Sequence, residues 1–298
     1  MSNIITLTTD WGITANYAAI FKAHLLKEAP SATIVDISHE VEAFNIEMGV
    51  YLLAATYPFF AKETVHIFGV DFLSDNQLAS VRSSPSLERE HIPLNHYLAV
   101  KYKGHYFLAR NNGFFSLLCE DLSEIEEVVQ LKKDENLSDI KTFDLIPFLL
   151  KPAVALSKGI SLKKIGELYD VEKIEIVKPQ KPLIKKSEER GDTIEFGVKY
   201  IDNYGNIVTD LHKDTFDKIA QGRKKMWIYY RGMGNNMKIQ LVDTYNNVYT
   251  YSRVFALFNT SGYLEIVANY SKLSGVFLNN SRDYDRRFIL GFEDNNEK

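Results

Sequence analysis

The chain is short of several things that would otherwise direct its reading. It has one cysteine, Cys119, in 298 residues, so no intramolecular disulfide can form. No cysteine and histidine cluster has zinc spacing, and a structural metal is not expected. No apolar run approaches the ~20 residues of a membrane span, and no basic segment followed by an apolar stretch and a cleavage site opens the chain. A cytoplasmic protein without membrane attachment is the expectation. Charge of one sign is also lacking: the net charge is −4, which gives no basic surface for nucleic acid.

What is present is ordinary globular composition, 45% apolar and 25% charged, over a length that accommodates two cores. Residues 4 to 12 read as a short apolar strand that ends in Asp10 and Gly12, ahead of a helical pattern running from Tyr17 towards Pro30. An acid there has two possible roles. It can cap the helix, or it can grip ligand hydroxyls beyond the carboxyl end of a parallel strand.

Strands are expected at Ala32–Ser38 and Thr64–Asp71, with a helix at Ile46–Phe60 between them. Consecutive βαβ units of this kind predict an α/β domain with a largely parallel sheet. Asp36 and Asp71 repeat the placing of an acid near a strand's carboxyl end. Residues 72–95 break the rhythm as a loop insertion, either a functional lid or disordered. A hairpin at His96–Tyr102 and His105–Arg110 turns at Lys103-Gly104. The Asn111-Asn112-Gly113 turn leads into a short helix at Phe114–Cys119, followed by a strand at Glu124–Leu131 and a helix at Thr142–Lys158.

The α/β domain is assigned to 1–176 and a proline- and charge-rich linker to 177–193. From 194 to 298 the pattern is mostly alternating strands: Ile194–Ile201, Asn206–Asp210, Met226–Tyr230, Met237–Val242, Val254–Asn259, Tyr263–Ala268 and Phe288–Gly291. This predicts an all-β, barrel-like C-terminal domain.

Five stretches then occur in a recognisable order: Thr9-Asp10-Trp11-Gly12; Ile34 to Glu40; Gly104 to Phe107 with Asn111-Asn112-Gly113; Ile201-Asp202-Asn203-Tyr204-Gly205-Asn206; and Asn259 to Ile266. Together they resemble the S-adenosylmethionine hydroxide adenosyltransferases, relatives of the S-adenosylmethionine-dependent fluorinase and chlorinase. The resemblance implies a homotrimer with ligand sites between the N-domain of one subunit and the C-domain of the next. It implies S-adenosylmethionine as substrate, adenosine as product and no further cofactor. The reaction is displacement at the 5′ carbon by water or hydroxide with methionine leaving, which asks chiefly for positioning and exclusion of bulk water.

Carried over by position, Asp10 accepts the ribose hydroxyls, Phe44 packs at the ribose or sulfonium, Tyr204 stacks on adenine and Asn206 bonds its edge. Asn112, Asp202, Ser261 and Asn269 complete the binding set. His39 receives no catalytic role, and Gly113 is read as serving backbone geometry. Taken without the resemblance, Phe44 and Tyr204 read as core or turn residues, and 202–206 reads as a strand-joining turn.

The reacting end departs from the family's Asp-Arg-His set. Asp71 matches the Asp, but Phe72-Leu73-Ser74-Asp75 replaces the family's Pro-Gly-Val-Gly. Arg82 is the nearest arginine, with Arg89 and Arg110 as outside candidates, and Asp144 stands where the His belongs. An acid there adds negative charge beside Asp71 and repels hydroxide, unless burial raises one pKa enough for the two to share a proton. Two functions therefore remain open: hydrolysis by Asp71, Arg82 and Asp144, or binding of S-adenosylmethionine or adenosine with weak or no turnover. Halide transfer is disfavoured, because the small hydroxyl-bearing pocket of the fluorinase is missing.

Overall fold

Strand β1, Ile4–Thr9, is buried on both faces from Ile5 onward, as a central strand of a covered sheet must be. It pairs in parallel with β2, Thr33–Ser38, on one side and β3, Val65–Gly69, on the other. The computed structural model describes residues 2–74, 76–79, 96–137, 145–187, 191–230, 235–247, 253–270, 273 and 287–293. The chain divides into two compact units, Met1–Pro179 and Gln180–Lys298.

In the first unit, β5, His105–Arg110, continues the parallel set beside β3. Strands β4 (Tyr97–Tyr102), β6 (Ile125–Leu131) and β7 (Gly166–Leu168) then extend the sheet in antiparallel pairings. The order is β2-β1-β3-β5-β4-β6-β7, a mixed sheet whose parallel half carries the chain's first residues. The β4–β5 hairpin closes with positive φ at both Lys103 and Gly104, which matches the twist of the strands it joins.

Period-two alternation assigns the two faces of the sheet. Ile5, Leu7, Val65 and Ile67 pack in one core with Phe21 and Leu25 of α1 (Tyr17–Glu28) and Leu149 and Ala153 of α4 (Ile146–Ser157). The opposite face meets α2 (Ile46–Ala54), which packs against α3 (Phe114–Leu118). The expected helix Ile46–Phe60 ends early: α2 stops at Ala54 and a separate 3₁₀ turn holds Tyr57–Phe59, with Pro58 unable to continue the ladder.

That second face carries a buried pair of histidines. His66 Nε2 lies 3.2 Å from His105 Nδ1, and His66 Nδ1 lies 2.7 Å from Thr6 Oγ1. Both imidazoles are fully buried beside Tyr57 and Phe107. Burial depresses His66 to about 3, with the neighbouring His105 adding to the effect. Burial likewise depresses His105 to about 4, helped by Lys62. The folded state therefore refuses protons that the unfolded chain accepts at about pH 6.5, so the stability these groups give above pH 6.5 is lost as pH falls towards 4. A fall in melting temperature of roughly 5–10 °C between pH 7 and 5 is expected from about 1–2 kcal/mol per histidine. The drop should shrink in His66→Gln; equal acid slopes in scanning calorimetry would contradict the assignment.

The second unit is an antiparallel sheet that curls on itself. Its order is β12-β11-β15-β9-β10-β14-β13, with β8 added at β9. The ranges are β8 Leu183–Lys185, β9 Thr193–Ile201, β10 Ile207–His212, β11 Lys225–Tyr230, β12 Met237–Gln240, β13 Val254–Phe258, β14 Tyr263–Ala268 and β15 Arg287–Phe292. A parallel bridge from Leu241 to Ala256 draws the β12 and β13 ends together, giving a near-barrel. Strand β8 falls within the 177–193 stretch read as linker. A helix absent from the sequence reading, α5 (Lys213–Ala220), follows β10 and buries Phe216, Ile219 and Ala220 in the core.

Candidate functional site

The parallel strands β1, β3 and β5 end at one edge of the first unit, and each delivers a charged residue just past or at its last position: Asp10, Asp71 and Arg110. Asp10 does not cap α1, whose N-cap residue Asn16 has no side-chain capping bond. Its Oδ2 instead accepts the backbone N–H of Phe44 at 3.1 Å and of Asp71 at 3.2 Å. Burial raises the Asp10 pKa, outweighing the backbone amides of Phe44, Asp71 and Asp10 itself that favour the carboxylate, and the charge of Asp71 pushes it up further. Oδ2 is thus fixed by backbone, and Oδ1 keeps acceptor capacity for a ligand's hydroxyls.

The backbone that reaches Asp10 is strained. Phe44 has φ of 66° and is 66% exposed, an unusual conformation for a bulky residue. Its amide turns to Asp10 and its ring stands in solvent, the kind of local outlier that concentrates at ligand sites. Asn45 then caps α2 through the Met48 N–H.

Asp71 meets Arg110: Nη1 donates to Oδ1 at 2.8 Å. Arg110 Nη2 donates to Tyr97 Oη at 3.1 Å, and the guanidinium lies 5.5 Å from the Tyr97 ring centre. Tyr97 is itself stacked on Phe148, 4.5 Å between centroids. Asp10, Trp11, Tyr17, Asp71, Tyr97 and Arg110 all line one cavity of about 190 Å³. The floor is shaped by Gly69, where a Cβ would come within 3.1 Å of the Trp11 ring.

Asp36, the third acid expected at this edge, is used otherwise. Burial alone would raise its pKa, but hydrogen bonds from Lys22 and His39 hold it below the usual range. His39 bridges Asp36 (3.0 Å) and Thr9 Oγ1 (2.7 Å) and stacks under Trp11, which is a structural role.

Asn111, Asn112 and Gly113 organise the backbone behind Asp71. Asn112 is 1% exposed and donates to the Phe72 carbonyl at 3.2 Å, so its amide holds the segment after Asp71. Gln77 Nε2 donates to the Asn111 carbonyl at 2.9 Å, and Ser74 Oγ bonds Glu175 Oε1. The beginning of the 72–95 insertion is therefore packed against the fold, with a helical turn at 76–79. Gly113 adopts φ of 104°, and a Cβ there would fall 2.2 Å from Val177 Cγ2. Arg82, Arg89 and Asp144 lie outside the described residues.

In the second unit, Asp202 to Asn206 form a closed turn. Asp202 accepts Asn206 N–H on Oδ1 at 2.8 Å and the Asn206 side-chain amide on Oδ2 at 2.9 Å. Gly205 has φ of 84°, and Tyr204 at the tip is 76% exposed. Asn259 Oδ1 similarly gathers the Ser261 and Tyr263 amides. Asn269 sits in the turn after β14, next to Tyr270, which is exposed at positive φ. Glu265, which the sequence reading passed over, is buried with a raised pKa; burial is the main cause, and Tyr245 Oη donates to it at 2.5 Å.

Arg110 and Tyr97 are the members of the cavity that sequence reasoning placed least well. A signal existed: Arg110 ends a strand on the same edge as Asp10 and Asp71. Among the described residues no group of three or more His, Cys, Asp or Glu is arranged to hold a metal ion, and no helix is long and apolar enough to cross a membrane.

The chain is similar to several known proteins. The chain is similar over 92% of its length to the (R)-S-adenosyl-L-methionine hydrolase of Methanocaldococcus jannaschii, at 28% identity across 284 residues covering 92% of that protein. It is 24% identical to the fluorinase of Actinopolyspora mzabensis, covering 91% of this chain and 92% of the fluorinase. An uncharacterized conserved protein from Thermotoga maritima has the same fold, with a TM-score of 0.74 at 22% identity over 97% of this chain and 99% of that one. The SAM hydroxide adenosyltransferase N-terminal domain matches residues 5–84 and 87–166, and the C-terminal domain of that family matches 196–283. The chain belongs to the SAM hydroxide adenosyltransferase family.

Proposed function

We propose that this protein is a cytoplasmic, homotrimeric hydrolase that converts S-adenosylmethionine to adenosine and methionine. The observation that carries the reading is the meeting of Asp10 with the Asp71–Arg110 pair around one cavity. Among the described lining residues, two carboxylates and one guanidinium sum to a net negative charge, which suits a sulfonium cation. At about 190 Å³ it is smaller than the ~300 Å³ at the low end of whole-ligand pockets, and it fits the ribose and 5′ carbon better than the entire molecule.

In this reading Asp10 Oδ1 takes the ribose hydroxyls and Phe44 covers the sulfonium side. Tyr204 stacks on adenine, Asn206 bonds its edge, and Asp202, Ser261 and Asn269 hold the remaining polar ends, these last five supplied by a neighbouring subunit. Asn112 acts through the Phe72 carbonyl to hold the segment following Asp71. Water attacks the 5′ carbon opposite sulfur, the carbon–sulfur bond breaks with its electron pair staying on sulfur, and the water's proton passes to Asp71 or to solvent. Arg82 and Asp144 remain candidate members of the reacting end.

A second reading, binding without turnover, is favoured by one feature of the sequence, Asp144 in place of the family's histidine. Incubation of the purified protein with S-adenosylmethionine, followed by chromatography, separates the two. Equimolar adenosine and methionine over many turnovers are expected. Saturable binding without adenosine would leave the second reading, and neither binding nor product would remove both.

A further inference from the structure

Arg110 differs from its two acidic neighbours in how firmly it is held. Its side chain is 14% exposed, against 64% for Asp71. It lies over the ring of Tyr97, bonds that residue's hydroxyl, and Tyr97 is in turn locked by stacking on Phe148. The cation is therefore built into the wall of the cavity, and the more exposed carboxylate comes to it. A nearly buried guanidinium in a cavity read as receiving a sulfonium works against binding of that cation.

The geometry points to Arg110 as the residue that balances charge at the reacting end, favouring approach of the nucleophile at the expense of ground-state attraction for the cationic ligand. This rests on the hydrolytic reading above. With Arg110 present, the guanidinium offsets the negative field of Asp10 and Asp71 at the approaching oxygen; the oxygen–carbon bond forms, the carbon–sulfur bond breaks with its electron pair staying on sulfur, methionine leaves as a neutral thioether, and the water's proton passes to Asp71 or to solvent. Without it, Asp10 and Asp71 attract the sulfonium more strongly and repel the incoming oxygen. Binding and turnover then move in opposite directions, which a loss of structure cannot produce.

The test compares wild type with Arg110→Met, Arg110→Gln and Arg110→Lys, using calorimetric titration with S-adenosylmethionine and with adenosine, and single-turnover rates. Arg110→Gln keeps a hydrogen-bond donor for Tyr97 and Asp71 and serves if Arg110→Met does not fold. Loss of the charge is expected to tighten S-adenosylmethionine about 3- to 10-fold and leave neutral adenosine within about twofold. The same variants should lose turnover by about 100-fold, with partial recovery in Arg110→Lys. Weakening of both ligands together, or turnover within about threefold of wild type, would overturn the role. A wild type that binds but releases no adenosine defeats the hydrolytic reading, and the ratio of the two affinities in Arg110→Gln still decides whether Arg110 sets the cavity's charge.

Discussion

Asp10→Asn is expected to weaken both S-adenosylmethionine and adenosine, by about 10- to 100-fold, with the fold intact. The amide oxygen of Asn can still accept the Phe44 and Asp71 N–H groups that bond Asp10 Oδ2. What disappears is the charge proposed to strengthen hydrogen bonds from the two ribose hydroxyls, about 1.5–3 kcal/mol for bonds to an ionised acceptor. Because both ligands carry the ribose, both should lose affinity, S-adenosylmethionine somewhat more because a negative charge near the sulfonium is also lost, unlike the tightening of S-adenosylmethionine expected at Arg110. Asp10→Ala goes further: it removes the acceptor that holds Phe44 at φ of 66°, so melting temperature should fall along with affinity. Calorimetric titration reads the first effect, and affinities within about threefold of wild type would place the ribose elsewhere.

Asp71→Asn is expected to act on rate. The substitution keeps an oxygen for Arg110 Nη1 and the N–H that reaches Asp10, so the local backbone has no reason to move. It removes the group proposed to accept the proton from attacking water, a contribution of about 10²–10⁴ in turnover. Affinity for S-adenosylmethionine should weaken by less than about 10-fold, because one negative charge near the sulfonium is lost. Quenched single-turnover measurements separate rate from binding, and a rate within about threefold of wild type would remove Asp71 from the chemistry.

The elements that sequence exposed best are those whose pattern is local. Strand β1, the β4–β5 hairpin and the barrel strands each announce themselves by period-two alternation and turn residues, and the hairpin's Lys103-Gly104 turn stands where its pattern put it. Helix α5 was illegible because its eight residues include Lys213, Asp214, Asp217 and Lys218, which read as a polar turn until Phe216 and Ile219 find the barrel core. The 3₁₀ break after Ala54 depends on how the chain turns at Pro58, and an apolar count continues through it.

The site divides along the same line. Asp10 and Asp71 were visible as acids at strand ends, but their mutual contact spans 61 positions and no local pattern encodes it. Asp36 shares their sequence setting and is drawn off by Lys22 and His39, a distinction only tertiary structure makes. Family spacing favours Arg82, whereas strand position favours Arg110, which pairs with Asp71 in the fold. Asn112 reads as a polar residue in a ligand motif, and burial turns its amide towards the Phe72 carbonyl.

The central claim is that the edge formed by β1, β3 and β5 receives the ribose and the reacting carbon. A crystal structure of the protein with S-adenosylmethionine, or with adenosine and methionine, tests it most directly. The ribose hydroxyls are expected within hydrogen-bond distance of Asp10 Oδ1, with the 5′ carbon facing the Asp71–Arg110 pair. An adenosyl group bound away from that edge, with Asp10 engaged only by the amides of Phe44 and Asp71, would contradict it.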